Sequence, residues 1–219
     1  MNEWFEHIPT ADMIAWRRHI HQHPELSFKE YKTSAFVEKT LRSFGDIEIQ
    51  HPAQTSVLAI IHGAQEGKTI LLRADMDALP MQEESGLSFS SDVNNVAHTC
   101  GHDTHTAMLL ATAKVLYELK DSLHGSVKLI FQHAEELNPG GSQAIVDSGL
   151  IDDVDAAVGL HIIPNLPCGS IHVHPSGPAT TAADGFFLHI QGKGSHGSMP
   201  QNGIDPIIIG TQIITQLQT

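Results

Sequence analysis

The sequence predicts an α/β fold in which helices flank a sheet. Three observations carry this: from residue 47 onward short β-rich runs alternate with helical stretches, each run ends in acidic or histidine residues, and a helix usually opens just after them. Sheets of this kind collect their polar strand ends along one edge, and ligands bind there.

The elements follow in order. Thr10 is placed to cap a helix from about Ala11 to His21, and Ser27-Phe28-Lys29-Glu30 reads as a capping box opening a second helix that stops at Gly45. Two helices therefore precede any strand. Ile47 to Gln50, Ser56 to His62 and Thr69 to Ala74 read as strands, and Asp75-Met76-Asp77 follows the last of them at once. From His102 to Lys120 the spacing of Met108, Leu109, Ala111, Val115, Leu116 and Leu119 suits a buried helix. Val127 to Gln132 is the next strand, ending at His133-Ala134-Glu135-Glu136. Gly140-Gly141 then opens a short helix through Gly149, and the apolar run Ala156 to Leu160 ends at His161. Pro175-Ser176-Gly177-Pro178 reads as a linker, Asp184 to Gln191 as a strand, and Gly192-Lys193-Gly194-Ser195-His196-Gly197 as a glycine-rich loop. Asp205-Pro206 supplies a cap and a first-turn proline for a last helix, apolar through Leu217.

Composition limits the function. With 219 residues, 41% hydrophobic and 17% charged, the chain can bury one sizeable core or two modest ones. A net charge of −13 argues against nucleic acid and against an anionic membrane surface. Sixteen histidines exceed lysine and arginine together, and neutral imidazole is the commonest metal ligand. Cys100 and Cys168 are the only cysteines, the start Met1-Asn2-Glu3-Trp4 lacks the features of a secretion signal, and no apolar run reaches the roughly 18 residues of a membrane span. The expectation is a cytoplasmic protein in a reducing compartment.

Chemistry concentrates in Ala97-His98-Thr99-Cys100-Gly101-His102-Asp103-Thr104-His105, where a thiol, three imidazoles and a carboxylate share nine residues. Cys100 with His102, then Glu135-Glu136, then His161 stand 25 to 33 residues apart, each at a predicted strand end or helix start. A thiolate, imidazoles and a carboxylate form a borderline-soft ligand set that suits zinc, with manganese or another first-row ion also possible. Of two adjacent glutamates, one can bind metal while the other takes a proton from water. A solvated turn is the plainer reading of Glu135-Glu136, but a fully polar turn seldom follows so apolar a strand.

Other candidates have plainer readings. Cys168 reads as an inert thiol. His19, His21 and His23 stand among Arg17, Arg18 and Pro24 and look like a helix end carrying cations. His172 and His174 alternate across a strand and face opposite ways. His196 sits between glycines, on a loop tip that bends freely.

Five motifs now stand in order: Arg17-Arg18-His19-Ile20-His21-Gln22-His23-Pro24-Glu25-Leu26, Arg73-Ala74-Asp75-Met76-Asp77-Ala78-Leu79-Pro80, His98-Thr99-Cys100-Gly101-His102-Asp103, His133-Ala134-Glu135-Glu136 and the glycine-rich loop at 192–197. Together they resemble the dinuclear metal-dependent amidohydrolases and metallopeptidases, a group that includes hippurate hydrolase, N-acyl-amino-acid amidohydrolases and auxin-conjugate hydrolases. The resemblance implies a zinc-peptidase-like catalytic domain with a central mixed sheet flanked by helices, at residues 1–178. It implies that residues 179–219 begin a smaller α/β lid and dimerisation domain. It further implies two divalent ions, Zn(II) or Mn(II), held by Cys100, His102, Glu136 and His161, with Cys100 the bridge and Glu135 the general base. Asp77 matches the aspartate that orients a ligand from behind. Asp75 stands where related peptidases carry a ligand histidine, a duty that passes to His102. His196 matches a lid histidine that reaches into the partner subunit's site, in a homodimer or tetramer.

Members of that group run to nearly twice this length, and the expectation is a chain that stops inside the lid, without a fifth, histidine ligand. Its last helix would then leave isoleucines exposed. The expected reaction is hydrolysis of an N-acyl amino acid to an amino acid and a carboxylate. The alternatives are a dipeptidase or aminopeptidase acting on short peptides, and a non-catalytic fragment that binds metal.

Overall fold

The computed structural model describes residues 3–173, 176–178 and 185–218. They divide into two compact units, Met1–Ser170 and Ile171–Thr219. The first is mixed α/β, as the sequence predicts. Helices α1 (Thr10–Gln22) and α2 (Tyr31–Phe44) precede strands β1 (Glu48–Gln50), β2 (Val57–His62) and β3 (Gln65–Asp75). Helix α3 (His102–Glu118), strand β4 (His124–Gln132), helix α4 (Ser142–Asp147) and strand β5 (Ala156–Gly159) complete it.

The five strands form one sheet in the order β1-β2-β4-β3-β5. β3 runs parallel to both β4 and β5, while β2 is antiparallel to β4 and β1 to β2. Parallel neighbours need a long crossover, and α3 and α4 supply the two that are required. The three parallel strands therefore end at the same edge of the sheet.

Both faces of the sheet's middle are covered, so β2 reads as a continuous apolar run rather than an alternating one. Val57, Ala59 and Ile61 join Leu129 and Phe131 of β4 beneath Val37 and Leu41 of α2 and Leu109, Leu110 and Ala113 of α3. Leu58, Ile60, Leu71 and Ile130 face the other way, against Ile145 of α4. Fully burying side chains such as Phe131 or Leu110 stabilises by about 1.5–3 kcal/mol each. β5, at the sheet edge, is exposed along its length.

Several local expectations are corrected. Thr10 is the first residue of α1 and not its cap, because the turn begins at Pro9. Ser27 does not cap α2. Its hydroxyl donates to Asp77 at 2.6 Å, and Glu25 accepts instead from the Lys32 and Thr33 N–H groups, each at 2.8 Å. The strand expected from Asp184 to Gln191 is absent over 185–191. Among the described residues no neighbouring strand offers these residues hydrogen bonds, and pairing is what makes a strand. Asp184 itself lies outside the described residues, as do His174, Pro175 and Thr219. In the second unit, α5 (Pro206–Gln216) is capped by Asp205, which accepts from the Ile207 N–H at 2.9 Å, and Ile207, Ile208 and Ile214 are exposed.

The histidines of α1 carry structure. Arg17 Nε and His21 Nδ1 reach Asp103 Oδ2 at 2.7 and 2.8 Å, and His21 Nε2 reaches Glu83 at 3.1 Å, tying α1 to the start of α3. Burial pushes the Glu83 carboxyl up, but donors from Ser85, the Ser91 N–H and His21 outweigh it and hold it at about 2. An unfolded glutamate titrates near about 4.3. A folded value below the unfolded one means stability that is present above about 4.3 and is lost as pH falls toward 2. The melting-temperature gap between the chain and Glu83→Gln should therefore be full at neutral pH and close across that acid window. Melting curves at stepped pH check this; a gap that ignores pH would mean that Glu83 acts through shape alone.

Candidate metal centre

The expected ligands lie just past the ends of parallel strands or at the start of α3, and Asp75 lies at the same edge. Asp75 ends β3, His133 to Glu136 follow β4, and His161 follows β5 by two residues. Gly101 caps α3 with φ +92°, a left-handed turn where an added Cβ would run into the end of the Ile162 side chain. Glycine thus lets Cys100 and His102 face the same space.

There Cys100 Sγ lies 3.3 Å from His161 Nε2. His102 is fully buried, and its Nδ1 faces the Asp77 carbonyl at 2.9 Å and Asp77 Oδ1 at 3.2 Å. That leaves Nε2 pointing 3.7 Å from Glu136 Oε1 and 3.7 Å from Asp75 Oδ2. Three sets of donor atoms each fall within 4.8 Å of one another: Cys100, His102 and His161; His102, Glu135 and Glu136; and Asp75, His102 and His105. His102 belongs to all three.

Two atoms at the centre, His102 Nε2 and Glu136 Oε1, are buried without a hydrogen-bond partner. Buried polar atoms are almost always satisfied, so two orphans facing each other mark a place where a cation fits. The protonation states agree. Burial lowers the His102 imidazole's pKa, yet Asp77, Asp75 and Glu136 outweigh it and raise it above the usual value. Burial pushes the Cys100 thiol up to about 12, and the negative charge of the nearby Glu136 carboxylate adds to the rise. The cluster as it stands is short of positive charge.

Asp77 organises the site from behind. Its Oδ2 accepts from the Ser27 hydroxyl at 2.6 Å and the Glu136 N–H at 3.0 Å, while Oδ1 faces His102. Burial raises its pKa, but these donors outweigh it and hold the carboxyl well below the usual range.

Of the residues singled out from the sequence, Cys100, His102, Glu135, Glu136, His161 and Asp77 come together. His196 belongs to the second unit, where its Nδ1 lies 2.9 Å from Ser198 Oγ. His98 is buried with neither ring nitrogen bonded, and burial pushes its imidazole down to about 4. Sequence reasoning named His105 and Arg73 within their motifs and gave neither a role. His105 Nε2 accepts the Ile162 N–H at 3.0 Å, so its Nδ1 carries the proton donated to Asp75 Oδ1 at 2.7 Å. Both nitrogens are used, and the ring steadies the backbone just after His161. Arg73 holds the other Asp75 oxygen at 2.7 Å. The i, i+3 spacing of His102 and His105 on one helix face was the available signal.

A family model, that of peptidase family M20/M25/M40, matches residues 71–211. The chain belongs to this family. Among its relatives is an N-acyl-L-amino acid amidohydrolase of Geobacillus stearothermophilus, 52% identical over 95% of this chain and 56% of the relative. A solved structure from methicillin-resistant Staphylococcus aureus superposes with a TM-score of 0.83 at 36% identity, over 100% of this chain and 59% of that one. A Bacillus subtilis dinuclear metal-binding peptidase of the M20 family gives 0.69 at 41% identity, over 72% of this chain and 44% of that one. This M20/M25/M40 chain spans about half the length of the curated relatives it matches. Among its described residues no helix is long and apolar enough to cross a membrane.

Proposed function

We propose that this edge of the sheet is a dinuclear metal centre and that the protein hydrolyses the amide bond of N-acyl amino acids. The observation that carries the reading is the orphaned pair His102 Nε2 and Glu136 Oε1, beside the Cys100 and His161 donors. Cys100, His102, Glu136 and His161 would hold the ions, Cys100 through its thiolate. The mixed sulfur, nitrogen and oxygen set suits Zn(II), with Mn(II) as the alternative. Divalent ions in such a site act as Lewis acids on the acyl carbonyl and bring the pKa of water down toward about 7.

The chain's own residues do the rest. Glu136 turns into the site and is half-buried, whereas its neighbour Glu135 is exposed, free to meet water and substrate. Glu135 takes the proton from the attacking water and passes it to the leaving amine, so that an amino acid and a carboxylate result. Asp77 keeps the His102 proton on Nδ1 and its lone pair on Nε2. We assign residues 179–219 to the start of a lid, and His196 to the oxyanion site of a partner subunit in a homodimer or tetramer. The cytoplasm, a reducing compartment, keeps the free Cys100 thiol available.

The test combines elemental analysis with substrate comparison. Two tightly held ions per chain are expected, with turnover of N-acetyl and N-benzoyl amino acids above that of free dipeptides. Preference for dipeptides would shift the reading to a peptidase on the same scaffold, and an inability to hold metal would remove the catalytic reading.

A further inference from the structure

Glu30 is a fully buried carboxylate that the proposed chemistry does not use. It stands just before α2, and its two oxygens gather one donor from its own turn and two from distant stretches of chain. Oε1 accepts the Phe28 N–H at 3.0 Å and the Ala134 N–H at 2.8 Å, and Oε2 accepts the Thr55 hydroxyl at 2.6 Å. Thr55 leads into β2, and Ala134 follows β4 and immediately precedes Glu135.

Ala134 is fully buried at φ +47°, a left-handed conformation that side-chain-bearing residues adopt only where their surroundings impose it. Phe28 is left-handed too, at φ +64°. Both strained N–H groups point at the same Glu30 oxygen. The Ala134 carbonyl in turn accepts the Gly141 N–H at 2.8 Å, and His133, one residue earlier, is pinned by Ser56 at 2.6 Å. After Ala134 the Glu136 N–H goes to Asp77. The Glu135-Glu136 backbone is thus gripped on both sides, by Asp77 at its end and by Glu30 at its start, and of these two only Asp77 also touches His102.

We propose that Glu30 is a positioning residue that sets where the Glu135 carboxylate stands, by holding Ala134 in its left-handed turn. The inference rests on the reading of Glu135 as the base. Without an acceptor at Glu30 the Ala134 N–H is buried and unsatisfied, and the turn relaxes toward ordinary backbone angles, carrying Glu135 with it. Displacements of about 1 Å in a catalytic group cost on the order of 100-fold in rate.

The test uses the metal-loaded chain and Glu30→Leu, Glu30→Gln and Glu30→Asp. Leucine keeps the volume and removes every acceptor. In that variant kcat should fall about 30- to 100-fold while KM and bound metal stay near the parent's, and amide exchange should accelerate at Ala134 while α3 keeps its protection. Glutamine offers one oxygen to both N–H groups and turns its amide toward Thr55, and should recover most of the lost turnover. Aspartate keeps the charge but withdraws the acceptor from Ala134; it should show the leucine pattern in weaker form, and decides the matter should the leucine chain fail to fold. Variants that only melt earlier, with kcat per metal-loaded molecule and Ala134 exchange unchanged, would reduce Glu30 to a packing role and overturn the proposal. A parent that binds metal but turns over no substrate defeats the reading of Glu135, and the exchange at Ala134 then still decides for or against Glu30.

Discussion

Glu135→Gln should hold its metal like the parent and lose turnover by about 10²–10⁴-fold, the contribution a general acid–base group typically makes. Glutamine keeps the length and shape of the side chain, so the backbone links around it persist. Its amide cannot take a proton from water, and nothing then delivers one to the leaving amine. Elemental analysis and steady-state kinetics on the same sample check both halves. Metal loss together with activity would make Glu135 a ligand, a role its place beside His102 and Glu136 also allows. Full activity in the variant would remove it from the chemistry altogether.

The second large effect is expected at Asp77. This carboxylate is 1% exposed and serves three groups at once: the Ser27 hydroxyl, the Glu136 N–H and His102 Nδ1. Asp77→Asn replaces one acceptor with an amide donor: facing Ser27 and Glu136 it leaves those donors buried and unpaired, at a cost of about 1–3 kcal/mol, and facing His102 it leaves Nδ1 only the Asp77 carbonyl. Either way the hold on one metal-site side chain, His102 or Glu136, is weakened. Loss of such an orienting partner typically lowers metal affinity about 10- to 100-fold. Metal titration with a competing chelator, read beside a denaturant melt, separates the two effects. Unaltered affinity in a folded variant would mean that the ligands hold their own orientation.

Much of this molecule was legible in its sequence. The continuous apolar run of β2, the helical spacing after His102 and the strand before His133 all appear where local periodicity places them, because side-chain period depends only on neighbours a few residues away. The chemistry of the site was also local in part. Cys100 with His102, and Glu135 with Glu136, announce a metal site by residue type and spacing. Family membership then follows from the match to residues 71–211.

The tertiary structure alone decided which groups meet. No local signal orders the strands as β1-β2-β4-β3-β5, and yet that order makes β3, β4 and β5 parallel and brings Asp77, Glu136 and His161 to one edge. Ser27 looked like a helix cap and instead serves Asp77, 50 residues away. Glu30 completed the supposed capping box and instead holds Ala134 across 104 residues. A strand foreseen over 185–191 is not formed, because pairing needs a partner that the described residues do not supply. The sequence by itself determined which residues could do chemistry and which segments would be helix or strand. Where those residues stand, and what holds them there, was decided by hydrogen bonds between distant segments, which exist only once the sheet has been assembled.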